Sequence, residues 1–158
     1  MRELVSDATN NGAGLHQILP DGSLQVHADN NHPYSDAERM INLFLYLNDG
    51  WQRTWGGDLE LWSHDLRRCE ARIAPHRNRL VLFHTTDYSF HGHPAPLACP
   101  NGRSRRSLAV YYYSRARRRT DEINASARQR HMTTLYRSPR CTTCEDAKCS
   151  RTERGAVL

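Results

Sequence analysis

From Met40 to Asn48 the chain reads MINLFLYLN, in which every second residue is aliphatic. Ile41, Leu43, Leu45 and Leu47 alternate with Asn42, Phe44, Tyr46 and Asn48. A strand sends successive side chains to opposite faces, so this stretch is satisfied only in a sheet. The aliphatic face must pack on a covering layer, and the more polar face must line an interior. The same period of two runs through LQVHAD, DLELW, RLVLFHT and RSLAVYYY. Turn signals separate these segments: Pro20-Asp21-Gly22, Asn48-Asp49-Gly50, Gly56-Gly57, Pro75 and the stretch from Pro94 to Gly102. Many short strands punctuated in this way predict a mainly β architecture, a sandwich or jelly roll. A minor helical turn is expected over residues 35–39, with Ser35 as N-cap and Glu38 three positions later.

At 158 residues, one folded domain is the natural expectation. The pattern breaks after Tyr113, which predicts a core over residues 1–114 and an extension over residues 115–158, part helical around residues 121–131 and part disordered. Residues 114–140 carry eight arginines against Asp121 and Glu122. Such a run can touch nucleic acid, but Lys148 is the only lysine in the chain, so arginine is its general choice of cation. A solvated tail is the preferred reading. Cys141, Cys144 and Cys149 form C-x2-C-x4-C, a spacing that suits zinc with a further ligand such as His131. Free thiols are preferred, because a matching fourth cysteine is missing. There is no run of 18 apolar residues and no apolar leader core, so no membrane span and a cytoplasmic location are expected.

The chemistry-bearing residues begin with His27 and Asp29, which share a strand face while Ala28 points away. An imidazole and a carboxylate so placed can reach one metal ion, and a second imidazole would complete a facial triad with open positions opposite. His64, His84, His91 and His93 are the candidates for that third ligand. His91 is preferred, because it follows an apolar strand and leads through a Gly/Pro-rich connection to the last strand. His93 is the runner-up. On that last strand Arg105 shares a face with Ser107, Ala109 and Tyr111. An inward arginine among small neighbours needs an anionic partner, which a bound dicarboxylate supplies. Arg103 and Arg106 compete with it for that role.

Taken in order, GLHQI, LQVHADNN, NLFLYLN followed by Trp51, GGDLELW, IAPHRNRLVLFHTTDYSFHGHP and SRRSLAVYYY give the chain a wider likeness. It resembles the Fe(II)/2-oxoglutarate-dependent oxygenases of the prolyl 4-hydroxylase-like superfamily over roughly residues 12–114. The resemblance implies a double-stranded β-helix, a cupin-like jelly roll open at one end. It implies His27, Asp29 and His91 as iron ligands and Arg105 on the distal carboxylate of 2-oxoglutarate. Tyr46 looks like the tyrosine that assists there in some relatives. Ser107 would add a hydroxyl, and Asn42 would contact the cosubstrate or substrate. Arg39 and Trp62 are placed near the mouth as substrate contacts.

The implied reaction hydroxylates a C–H bond in a peptidyl proline, another protein side chain or a small molecule. It consumes O2 and 2-oxoglutarate, releases succinate and CO2, and draws on ascorbate for support. Related halogenases replace the metal-binding carboxylate with a small residue, so Asp29 points to hydroxylation. The spacing from His91 to Arg105, 14 positions, exceeds that of many relatives. Relatives also carry N-terminal support helices that this chain is expected to lack, which leaves the aliphatic face of 41–47 in need of a cover such as a second copy. The alternatives are a cupin-like metal- or sugar-binding protein, or a truncated relative without oxygenase activity; a simple cupin has no need of Arg105.

Overall fold

In a computed structural model of the chain the described residues are 4–6, 12–29, 37–114 and 135–136. They form ten strands: β1 (Leu4–Ser6), β2 (Gly14–Ile18), β3 (Leu24–Ala28), β4 (Glu38–Tyr46), β5 (Leu59–Trp62), β6 (Cys69–Ile73), β7 (Leu80–His84), β8 (His91–His93), β9 (Arg105–Ser114) and β10 (Leu135–Tyr136). A 3-10 turn at Arg53–Trp55 is the one helical segment among the described residues, and no helix there is long and apolar enough to cross a membrane.

Two antiparallel sheets carry these strands. In the first, the order is β1-β9-β4-β7, with β2 also paired to β9; in the second it is β10-β3-β8-β5-β6. From β2 to β9 the chain changes sheet at every connection except β5 to β6. That winding is a double-stranded β-helix. The two inner faces meet in a core where Tyr46, Phe44, Val81 and Phe83 of the first sheet pack on Leu59, Leu61 and Ile73 of the second. The period of two in 41–48 is realised as expected: Asn42, Tyr46 and Asn48 are buried.

The outer face of the first sheet is an aliphatic ladder. Leu15 lies opposite Leu108, Leu108 opposite Leu45 and Leu45 opposite Leu80. Leu80 and Leu82 are each more than half exposed, at 52% and 54%.

The expected helical turn over 35–39 is corrected. Glu38 and Arg39 open β4, paired with Ser114 and Tyr113, and long-range pairing overrides the local capping signal. Residues 35 and 36 lie outside the described residues. Of the extension after residue 114, only β10 is described, and it pairs with β3 through Leu135↔Ala28 and Tyr136↔His27. The expected helix over 121–131 and the cluster Cys141, Cys144 and Cys149 lie outside the described residues.

Two local devices set the site's geometry. Between Arg39 and Ile41 the β4–β9 register shifts by a residue. Such a bulge breaks the alternation, so Arg39 joins the inner face although Ile41 is outward. In β8, a Cβ at Gly92 would lie 2.8 Å from the Leu24 carbonyl oxygen and 3.0 Å from Val26 Cα. Only glycine lets β8 lie this close to β3.

Candidate metal centre and adjoining cavity

His27 and His91 face each other across the β3–β8 pair, and their ring centroids are 4.4 Å apart. Each ring is fixed in the same way. The Nδ1 of His27 lies 2.8 Å from the Gln25 carbonyl oxygen, and the Nδ1 of His91 lies 2.9 Å from that of Ser89. A carbonyl can only accept, so Nδ1 carries the proton and Nε2 keeps its lone pair. Both Nε2 atoms point at Asp29, at 3.3 Å from Oδ1 for His27 and 3.6 Å from Oδ2 for His91. One ligand atom from each of the three lies within 4.8 Å of the others. Two lone pairs and a carboxylate converging at this spacing fit one divalent ion bound on a single face.

The electrostatics favour ligation. Burial pushes the His91 imidazole down to about 4, against the opposing pull of Asp29. It is therefore neutral at neutral pH. Burial alone would raise the Asp29 carboxyl, but the side chains of His27, His91 and Arg39 around it outweigh burial and hold the carboxyl well below the usual range. Asn42 Nδ2 donates to Asp29 Oδ2 at 2.5 Å, and Arg39 Nη1 lies 3.3 Å from the same oxygen. The Arg39 guanidinium also stacks on Tyr111, 4.0 Å from the ring centroid. Asn42 and Arg39 thus hold the carboxylate that completes the triad.

A cavity of about 470 Å³ adjoins the triad, and its wall also includes Tyr46, His93, Arg105 and Ser107. Arg105 is buried while Arg103 and Arg106 are exposed. Its Nε donates to the Gly57 carbonyl oxygen at 2.8 Å and its Nη2 to the Tyr46 hydroxyl at 3.1 Å. Nη1 has no protein partner among the described residues. Gly57 has φ +75°, and a Cβ there would lie 2.6 Å from Leu97 and 3.1 Å from Arg105 Cδ. The glycine is needed both for its backbone conformation and for the space the arginine occupies. Burial lowers the Arg105 guanidinium, but a group of that basicity stays charged. Burial raises the Tyr46 hydroxyl, which Arg105 partly offsets, so the phenol is neutral.

Trp62 lies elsewhere. It packs with Val26, Ala28, Leu66 and Phe90 on the other side of the second sheet, and its Nε1 donates to Glu60. His64 and His84 are exposed. His93 is buried on the cavity wall but stands outside the converging three. Sequence reasoning missed Gly57, whose only signal was its place in a Gly-Gly turn. It also missed the role of Arg39 beside Asp29, which the bulge conceals.

A family model described as the 2OG-Fe(II) oxygenase superfamily matches residues 13–113. No curated protein sequence matches the chain. Among solved structures it is similar to a prolyl hydroxylase in complex with a hypoxia inducible factor oxygen degradation domain peptide fragment from Trichoplax adhaerens. That likeness has 22% identity and a TM-score of 0.49, over 63% of this chain and 41% of the other. A Phytophthora capsici prolyl 4-hydroxylase gives 26% identity and a TM-score of 0.49, over 63% and 31%. A Pseudomonas putida prolyl-4-hydroxylase gives 24% and 0.46, over 62% and 47%. The chain spans less than half the length of each.

Proposed function

The chain belongs to the 2OG-Fe(II) oxygenase superfamily, and from that premise we propose that it is an Fe(II)- and 2-oxoglutarate-dependent dioxygenase that hydroxylates a C–H bond. The observation that carries the reading is the joint presence in one cavity of the His27, Asp29 and His91 donors and a buried Arg105 that no carboxylate pairs among the described residues. A simple metal-binding jelly roll has no need of that cation.

When bound, Fe(II) with O2 and 2-oxoglutarate supplies the oxidising chemistry, converting the oxo-acid to succinate and CO2 as one oxygen atom enters the substrate C–H bond. The protein's part is binding and orientation. His27 and His91 offer Nε2, and their Nδ1 bonds to Gln25 and Ser89 fix each ring's angle. Asp29 adds the negative charge, steadied by Asn42 and Arg39. Arg105 takes the far carboxylate of the oxo-acid through its free Nη1 edge, with the Tyr46 and Ser107 hydroxyls beside it. Phe44 and Leu59 line the same cavity and limit water there. The substrate is a peptidyl proline, another protein side chain or a small molecule, and ascorbate supports turnover by keeping iron reduced. The reading includes a cytoplasmic setting and, through the aliphatic outer face, a homodimer.

The test is succinate formation from 2-oxoglutarate with Fe(II) and O2, alongside calorimetric binding of 2-oxoglutarate to the Mn(II)-loaded protein. Uncoupled succinate release and saturable binding are expected. Absence of saturable binding overturns the reading.

A further inference from the structure

His93 stands two residues after His91 on β8, so both imidazoles face inward while Gly92 faces β3. Its residue is 2% exposed, and its ring borders the cavity together with Arg105 and Tyr46. Neither ring nitrogen has a hydrogen-bond partner on another of the described residues. This sets it apart from His27 and His91, whose Nδ1 atoms are each held by a carbonyl. A buried imidazole with both nitrogens unanswered is rare in a folded protein and calls for a missing partner. The described residues supply none, and the ring is outside the three-residue ligand set found among them.

Its surroundings indicate what the partner is. Arg105 and His27 both lie close enough to act electrostatically on the ring. His93 therefore lies within electrostatic reach of both a metal-binding side chain and the buried guanidinium, the two groups that a dicarboxylate would join. A neutral imidazole offers one N–H, and a carboxylate oxygen accepts it. Both ring nitrogens are covered as placed, and the χ2 torsion of histidine is broad, so a turn of the ring aims that N–H into the cavity.

We propose that His93 is a cosubstrate-contacting residue whose imidazole N–H donates to a carboxylate oxygen of the oxo-acid held between the metal and Arg105. This rests on the oxygenase reading above. It gives the pocket a second donor for that acid and makes His93 a determinant of its affinity.

The experiment is calorimetric titration of 2-oxoglutarate into Mn(II)-loaded wild type, H93L, H93Q and R105A, with Mn(II) affinity measured on each. H93L is expected to bind 2-oxoglutarate about tenfold to a hundredfold more weakly, the loss of one hydrogen bond to a charged group. Mn(II) affinity should stay within about twofold, because no ligand atom is removed. H93Q keeps a donor and should recover most of the binding. Equal affinity in H93L and wild type overturns the role of His93 while leaving the oxygenase reading intact. A parallel loss of Mn(II) affinity also overturns it, since the residue would then act through the metal site. If wild type itself does not bind 2-oxoglutarate, the oxygenase reading falls and His93 falls with it. Should H93L fail to fold, 15N-histidine spectra of Zn(II)-loaded wild type decide: the His93 ring signals must move on adding 2-oxoglutarate, and unmoved signals overturn the proposal.

Discussion

The Nη2 of Arg105 lies 3.1 Å from the hydroxyl of Tyr46, across 59 positions of sequence, and both residues are buried. The β4–β9 register brings them together, since Tyr46 pairs with Ser107, two residues from Arg105. The phenol oxygen accepts from the guanidinium, so its own proton is free for a ligand. Removing the cation and removing the hydroxyl should differ in size. Arg105→Ala should weaken 2-oxoglutarate binding by about 100-fold or more, and Tyr46→Phe by roughly fivefold to tenfold. Calorimetry on Mn(II)-loaded protein checks both, and an Arg105→Ala variant with wild-type affinity would move the anion site elsewhere.

Metal affinity should fall in two steps. His27→Ala removes a ligand and should reduce Mn(II) affinity by about 100-fold or more. Asn42→Ala removes only the donor that holds Asp29 Oδ2 and should reduce it by about tenfold. Competition with a metal-sensitive dye measures both. Equal losses would mean that Asn42 does more than orient the carboxylate.

The sequence showed which residues could gather but not how they are held. Alternation in 41–48 and 105–113 assigned the inner faces because the β4–β9 pairing is regular from Ile41↔Tyr112 to Tyr46↔Ser107. Parity favoured Arg105 while leaving Arg106 in competition, and the structure buries the first and exposes the second. Parity failed at Arg39, where the bulge after it reverses the side on which it falls. It also missed β6, whose CEARI has little apolar content, and β8, whose three residues HGH contain no hydrophobe. Such strands exist through their neighbours rather than through their own composition. The partners of Arg105 include a backbone carbonyl of Gly57, which no side-chain pattern encodes.

Asn48 offers a stability test outside the cavity. Its Nδ2 donates to the carbonyl oxygens of Pro75 and Arg106, and its Oδ1 accepts from the Arg106 N–H at 2.6 Å. One buried amide therefore ties the end of β4 to the strand that carries Arg105. Asn48→Ala should destabilise the fold by about 3 kcal/mol, because it leaves the Pro75 carbonyl and the Arg106 N–H without the amide that answers them. Urea unfolding checks this. Asn48→Asp should recover part of the loss by keeping the acceptor for Arg106.

Alkaline pH should expose the buried tyrosine under Arg39. Burial pushes the Tyr111 hydroxyl up to about 12, whereas an unfolded tyrosine titrates near 10. The folded state holds this proton more tightly, so its contribution is complete below pH 10 and is lost as pH rises toward 12. At pH 11 the loss should be about 1 kcal/mol relative to pH 9. Tyr111→Phe should show a correspondingly smaller drop in urea midpoint between those pH values, and an identical drop would assign the alkaline loss to other groups.

The Gly57 carbonyl and the Tyr46 hydroxyl are dipoles, and no carboxylate among the described residues forms an ion pair with Arg105. The protein therefore folds around a desolvated cation that the field of Asp58 offsets without an ion pair. Any dianion that answers it binds the native state alone, and so it raises the whole fold's resistance to unfolding. Each tenfold excess over its dissociation constant adds about 1.4 kcal/mol. On the proposed reading, cosubstrate supply would then set how long the folded molecule survives as well as how fast it turns over.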